Sequence, residues 1–254
     1  MSHHIIEAVN LNYSYPDGTA ALEDINFTIT HGESVAVIGE NGAGKSTLLM
    51  HLNGALLPSA GEIRIGHIPV TKKTVREIRK NIGMVFQNPD DQLFMPTVFD
   101  DVAFGPQNLG MPEKDVTECT LNALGTVGLS HLKDRHPYHL SGGEKRRIAI
   151  ATVLSMSPSV LALDEPSAGL DPKSRRNLIS LLKSFTHTKI IASHDLDMIA
   201  ETCSRTIVLY SGKVEADAPT EEIFRNTALL ERCSLEPPLS MQSCPVCENT
   251  FSME

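Results

Sequence analysis

A chain of 254 residues can bury a sizeable core without disulfide staples, as one domain or as a domain carrying an inserted subdomain. Its 22 Lys and Arg against 31 Asp and Glu leave a net charge of −9, so the basic footprint of a nucleic-acid partner is missing. Its longest strongly apolar run (Ile148 to Met156) falls far short of the ~20 residues that span a bilayer, its start has no secretory pattern, and five scattered cysteines suggest no disulfide framework, so a cytosolic chain is expected.

The first strand-like runs, Ile5–Val9 and Ile25–Thr30, alternate apolar and polar residues, as in an antiparallel sheet with one wet face. Val35–Ile38 is continuously apolar and reads as a buried strand of a parallel sheet. It runs into a glycine-rich loop, and helical periodicity opens at Lys45–Asn53. Strands are expected at Glu62–Ile65 and Ile82–Phe86. From Asn88 to Leu140 there are helical and turn patterns, including a helix over Glu113–Val127, and no clear buried strand. That stretch reads as a helical subdomain, approximately 88–140, inserted into an α/β core. The core resumes with a helix over Gly143–Met156, a buried strand at Val160–Leu163, a helix over Lys173–Phe185 and a buried strand at Lys189–Ala192. Arg205–Tyr210 is a further strand, and Ser211-Gly212 after it looks like a hairpin turn. A last helix is expected over Glu221–Leu230, capped by Thr220. Prolines and serines from Ser234 onward predict a loosely ordered tail, 236–254, behind a domain spanning 5–235.

Gly39-Glu40-Asn41-Gly42-Ala43-Gly44-Lys45-Ser46 fits the pattern G-x-x-x-x-G-K-[ST], between a strand and a helix as that motif requires. Gly39, Gly42 and Gly44 let backbone N–H groups converge on phosphate oxygens, and the helix that follows adds the positive end of its dipole. Lys45 brings a formal charge to the terminal phosphates, and the Ser46 hydroxyl can ligate Mg²⁺. Asn41 and Thr47 complete the candidate nucleotide-binding set. Val160–Leu163 ends in Asp164-Glu165, and two carboxylates closing an apolar strand need partners. At the carboxyl edge of an open sheet, Asp164 would face Mg²⁺ and Glu165 would activate water as general base. Two more strand ends bring Gln87, able to order Mg²⁺ or water, and His194, able to reach a γ-phosphate, to the same edge. Each alone would be an ordinary loop residue; convergence with two nucleotide motifs makes them candidates.

Leu140-Ser141-Gly142-Gly143-Glu144 opens another helix, as an anion site, a capping box with Ser141 and Glu144, or both. Here the sequence resembles the ATP-binding-cassette (ABC) ATPases. Ser141, Gly142 and Gly143 look like that family's signature turn, in its order between the phosphate loop and Asp164-Glu165. Ser167-Ala168-Gly169-Leu170-Asp171 resembles its D-loop, with Asp171 near nucleotide; Gln87 resembles its Q-loop residue and His194 its switch histidine. The adenine-stacking aromatic would fall on Tyr15, with Tyr13 as the lesser candidate. The resemblance covers about Ile5 to Leu235. It implies a P-loop NTPase core with an antiparallel β subdomain and an inserted helical subdomain, ATP and Mg²⁺ as ligands, and a head-to-tail dimer, here by default a homodimer. In that dimer each nucleotide lies between the phosphate loop of one subunit and the signature turn of the other.

Phe86-Gln87-Asn88-Pro89-Asp90-Asp91-Gln92-Leu93-Phe94, followed by Phe104-Gly105-Pro106-Gln107-Asn108-Leu109-Gly110, is similar to the ATPases of energy-coupling-factor (ECF) importers, most of all the cobalt/nickel branch. That implies a peripheral ATPase at the cytoplasmic face of the cell membrane. It would energise an ECF transmembrane component and a substrate-binding component, met through the helical insertion. A vitamin importer of the same type, a non-transport ABC ATPase of DNA repair or translation, and a regulatory subunit that hydrolyses little are the alternatives. Cys244 and Cys247 form a C-x-x-C pair that could hold half a metal site, though a dispensable tail accounts for them as well. His131, His136 and His139 read as solvated loop histidines, and His3 and His4 carry no assignment.

Overall fold

The computed structural model describes residues 4–242. In chain order these form β1 (His4–Ser14), β2 (Ala20–Thr30), β3 (Ser34–Ile38), α1 (Lys45–Leu52), β4 (Ala60–Ile65), β5 (Ile68–Pro69), α2 (Val75–Asn81), β6 (Ile82–Val85), α3 (Val98–Asn108), α4 (Glu113–Thr126), α5 (Gly142–Leu154), β7 (Val160–Asp164), α6 (Pro172–Ser184), β8 (Thr188–Ala192), α7 (Leu196–Thr202), β9 (Arg205–Tyr210), β10 (Lys213–Pro219), α8 (Thr220–Arg225) and α9 (Thr227–Arg232).

Two sheets result. The smaller, in the order β2-β1-β4-β5, is antiparallel throughout, as the alternating early runs require. The larger runs β10-β9-β3-β8-β7-β6; its five strands from β9 to β6 are parallel, and β10 folds back antiparallel on β9. Alternate residues of one strand face opposite sides of this sheet. Val35, Val37, Val160 and Ala162 join the core shared with the small sheet and α1, which contributes Leu48, Leu49 and Leu52. Ala36, Ile38, Leu161 and Leu163 join the second core, with the apolar faces of α4–α9. The helix that opens the phosphate loop is therefore wedged between two sheets, and its first turn cannot shift without disturbing both. Between 88 and 140 the chain holds α3, α4 and three single 3₁₀ turns, packed on α5.

Three sequence-based expectations are corrected. Thr220 is not the cap of the last helix: it is the first helical residue, and its hydroxyl lies 2.9 Å from that of Thr206 on β9. The helix expected over Glu221–Leu230 is two, because Asn226 leaves helical conformation and its side chain accepts from the Leu229 N–H, capping α9. The tail is fixed as far as residue 242. The Asp197 carboxylate accepts from the backbone N–H of Leu239 at 3.1 Å and of Ser240 at 3.0 Å, and Gln242 donates to the Pro237 carbonyl. Among the described residues Cys119, Cys203 and Cys233 are free thiols. Cys244, Cys247 and His3 lie outside the described residues.

Candidate functional site

The four strands β3, β6, β7 and β8 are mutually parallel through the sheet, so their carboxyl ends lie at one edge. β3 runs into the phosphate loop, β6 into Phe86-Gln87, β7 into Asp164-Glu165, and β8 into Ser193-His194. Beyond that edge is a cavity of about 500 Å³. Tyr15, Asn41, Gly42, Gly44, Lys45, Ser46, Thr47, Gln87, Glu165 and His194 line it together with Thr19, Ala20 and Ala21. Residues as far apart in sequence as Tyr15 and His194 thus line one cavity.

Within the loop, glycine is demanded by close approach. A Cβ on Gly39 would lie 2.3 Å from the Leu209 carbonyl oxygen, and one on Gly44, whose φ is +103°, would lie 2.6 Å from that of Ala21. Gly44 is the backbone cap of α1, and the Lys45 ammonium folds back to donate to the carbonyls of Gly39 at 2.9 Å and Glu40 at 3.0 Å. The amine is buried, so the loop holds its charge over the cavity floor. Tyr15 also lines the cavity, with its hydroxyl 2.8 Å from that of Thr47. Tyr13 lies behind it, edge to face at 5.1 Å, and does not line the cavity.

The carboxylates behave differently from each other. Asp164 is 3% exposed, and its Oδ1 has no hydrogen-bond partner among the described residues. Burial pushes its pKa up, opposed by a hydrogen bond from the Ser46 hydroxyl and by the charges of Lys45 and Arg146. A buried, unpartnered carboxylate oxygen with a hydroxyl beside it is the donor set of a hard divalent cation, so Mg²⁺ fits Asp164 and Ser46. Glu165 is 6% exposed and sits at φ +44°, a backbone region that costs a non-glycine residue energy and often marks function. Its Oε2 accepts from the Ser193 hydroxyl and the His194 N–H, both at 3.2 Å, and lies 2.7 Å from His194 Nδ1. One oxygen of Glu165 is thereby anchored to the end of β8, while the residue still lines the cavity.

One residue here was not anticipated. Arg146, on α5, is 3% exposed and donates to the carbonyls of Phe86 at 2.8 Å and Gln87 at 2.6 Å. Burial pulls its pKa down, and the negative charges of Asp164 and Glu165 oppose that. It fixes the backbone from which Gln87 projects. The only hint in the sequence is an arginine leading directly into an apolar helix.

The signature turn stands apart. Ser141 and Glu144 form a complete capping box at the start of α5, and the cavity lining includes none of Ser141, Gly142, Gly143 or Asp171. Asp171 caps α6, accepting from the N–H groups of Lys173 and Ser174. A larger cavity, about 840 Å³, lies between Ser167–Gly169, α7 and residues 234–242, with His194 on the border of both. It has no phosphate loop, and its Arg175 and Arg176 are already paired with Asp195 and Glu201.

Residues 22–168 match the family model of the ABC transporter. The chain is 64% identical over 247 residues to a Geobacter sulfurreducens protein provisionally named an ABC transporter ATP-binding protein, covering 97% of this chain and 99% of that one. It is 50% identical over 239 residues to the energy-coupling factor transporter ATP-binding protein EcfA of Methanothermobacter thermautotrophicus, covering 92% and 77%. Among solved structures it is similar to CbiO1 of Clostridium perfringens, part of the ABC transporter complex CbiONQ, with a TM-score of 0.80, 42% identity, and 91% and 94% of the two chains covered. It is also similar to the dimeric ATP-binding cassette MJ0796 in a post-hydrolysis state bound to ADP and Pi, with a TM-score of 0.76, 28% identity, and 85% and 98% covered.

Proposed function

The chain belongs to the ABC transporter family as an ATP-hydrolysing subunit, and from that premise we propose that it energises an ECF-type membrane importer for cobalt or nickel ions. The observation that carries the reading is the meeting of Lys45, Ser46, Gln87, Glu165 and His194 around one cavity, with the unpartnered Asp164 oxygen beneath it.

In this reading the adenine of ATP stacks on Tyr15, and its phosphates lie over the loop N–H groups of Asn41–Thr47. Lys45 leaves the Gly39 and Glu40 carbonyls for the terminal phosphates. Ser46, Asp164 and Gln87 hold Mg²⁺, which when bound neutralises phosphate charge. Glu165, anchored through one oxygen, takes the proton of the attacking water, and His194 turns to the γ-phosphate. Ser141, Gly142, Gly143 and Asp171 serve the nucleotide of a second copy, which accounts for their place outside this cavity. Most of the acceleration then comes from positioning and fixed charge.

The helical subdomain meets the membrane component. Phe94 is 62% and Phe104 39% exposed, and their rings pack edge to face at 5.0 Å, an apolar patch that suits a partner helix. No helix among the described residues is long and apolar enough to cross a membrane. As the ATPase of such an importer the chain would sit at the cytoplasmic face, held by the ECF transmembrane and substrate-binding components. Cellular nickel and cobalt accumulation tests the cargo. A fall in either ion in cells carrying Glu165→Gln, with other metals unchanged, supports the proposal. No change in either rejects the metal cargo and points to a vitamin importer.

A further inference from the structure

His51 lies in the last turn of α1 and is fully buried, on a helix whose other core positions are Leu48, Leu49 and Leu52. Its Nδ1 is 2.7 Å from the Thr47 carbonyl. A carbonyl only accepts, so in the neutral ring Nδ1 carries the proton and Nε2 is a bare acceptor. Nε2 has no hydrogen-bond partner among the described residues, and the nearby Leu57 backbone acts on the imidazole only by opposing the fall in its pKa that burial causes. Burying an unpartnered ring nitrogen costs stability, and an apolar residue of similar volume would avoid the cost. Core filling alone therefore does not account for a histidine here.

What the ring touches does. It meets Tyr13 edge to face, 4.7 Å between centroids at 74°. Tyr13 meets Tyr15 in the same way, 5.1 Å at 82°. Thr47, whose carbonyl His51 engages, has its hydroxyl 2.8 Å from that of Tyr15. The four residues form a closed circuit, Tyr15–Tyr13–His51–Thr47–Tyr15. Tyr15 is held at two points, its ring and its hydroxyl, and both lines of contact run back to His51. Tyr15 and Thr47 line the cavity; Tyr13 and His51 do not.

We propose that His51 is a positioning residue for base recognition: acting through Tyr13 and Thr47, it fixes the plane of Tyr15 on which the nucleotide base stacks. The inference rests on the reading of Tyr15 as the stacking residue. A tyrosine held in its bound orientation loses less freedom on binding, so more of the stacking energy appears as affinity. Burial also pulls the imidazole pKa down, which keeps the ring neutral and the circuit intact. The same helix begins with Lys45 and Ser46, so one rigid element sets the distance between base and phosphate subsites.

The test uses the full chain and separates base from phosphate. His51→Gln keeps a donor and loses the ring; His51→Phe keeps a ring and loses the donor. Each is expected to raise KM for ATP ~3–10-fold, a fraction of the loss of a base–aromatic stack, with kcat within about twofold. The inhibition constant of inorganic tripolyphosphate, which has no base, stays at the native value. In a Tyr15→Ala background neither substitution raises KM further, because the contact they orient is gone. An unchanged KM in the His51 variants, an equal rise in the tripolyphosphate constant, or full additivity with Tyr15→Ala overturns the proposal. A Tyr15→Ala variant with native KM instead overturns the reading of Tyr15, and the proposal with it. Should the bulkier Phe variant fail to fold, as thermal unfolding would show, the Gln variant carries the same comparison.

Discussion

The phosphate-loop edge and the signature turn are both glycine-rich helix starts, and they are finished to different degrees. At the first, polar groups are left under tension. Lys45 satisfies itself on the carbonyls of its own loop, Asp164 keeps an unpartnered buried oxygen, and Glu165 holds a costly φ. At the second, Ser141 and Glu144 satisfy each other, and a Cβ on Gly142 would meet nothing within 4 Å. One region is a half-built site that a ligand completes. The other is a helix start that caps itself and leaves an open face, which the proposed reading assigns to the nucleotide of a second copy. The same local chemistry, a glycine-rich helix start, thus stands in two states of completion, beside buried carboxylates at the first and self-capped at the second.

The largest expected effect breaks the first region alone. Glu165→Gln keeps the shape and the anchor to Ser193 and His194 but removes the proposed base, so turnover should fall about 10²–10⁴-fold while ATP still binds. Single-turnover hydrolysis beside nucleotide titration checks it, and normal turnover would remove Glu165 from its role. Next comes the second region. Gly142→Asp puts a carboxylate on the open face at a helix start that tolerates it, so the fold should stand. In the proposed dimer, where the turn faces the phosphates of a second copy, that charge should cost about 10²–10³-fold in turnover, the scale of losing one fixed donor to a developing charge. In the Glu165→Gln background, size-exclusion chromatography should show an ATP-dependent dimer that Gly142→Asp abolishes. A variant that still dimerises would place the signature turn elsewhere.

The two regions were unequally legible. The phosphate loop is a contiguous motif between a buried strand and a helix, so residues 39–47 announce both structure and chemistry. Asp164 and Glu165 were legible because charges closing the apolar run Val160–Leu163 need a reason. β10 was visible only through its turn: its inward positions are Val214, Ala216 and Ala218, too small to signal a strand, and it is secured by Arg205 holding both Asp217 oxygens at 2.7 Å. α2 buries only Ile78, so it has no periodicity to read. Arg146 was invisible for a different reason. Its targets, the carbonyls of Phe86 and Gln87, are main-chain atoms about 60 positions away, and backbone acceptors leave no mark in a sequence.

That arginine is also one in-chain tie between the two regions, since it starts on the signature helix and ends on the strand edge of the nucleotide cavity. Arg146→Met should cost ~1.5–3 kcal/mol, the scale of losing hydrogen bonds to a charged group, and lower Tm by several degrees. Turnover should fall about 10–100-fold through the displaced Gln87 segment, a smaller loss than at Glu165. Calorimetric melting and steady-state kinetics read both; native turnover with lowered Tm would make Arg146 a purely structural tie.

The smallest effect separates the regions by pH. Burial holds the His51 imidazole below its ordinary value of 6.5, so the unfolded chain takes up that proton first. The stability His51 contributes is therefore whole above pH about 6.5 and is lost as pH falls through its folded value. On the other side, the Ser141 backbone N–H, and after it the Ser141 hydroxyl, hold Glu144 below its ordinary 4.5. The capping box is thus whole above pH about 4.5 and yields only as pH falls through that lower folded value. Urea unfolding across this range should show a first decline near neutral pH that His51→Gln flattens and Glu144→Gln leaves in place, and a second in the carboxylate range that responds the other way. If one substitution removed both declines, acid sensitivity would be a property of the whole chain. Separate responses would mean that the phosphate-loop helix and the signature helix carry their electrostatic costs independently, as their opposite states of completion imply.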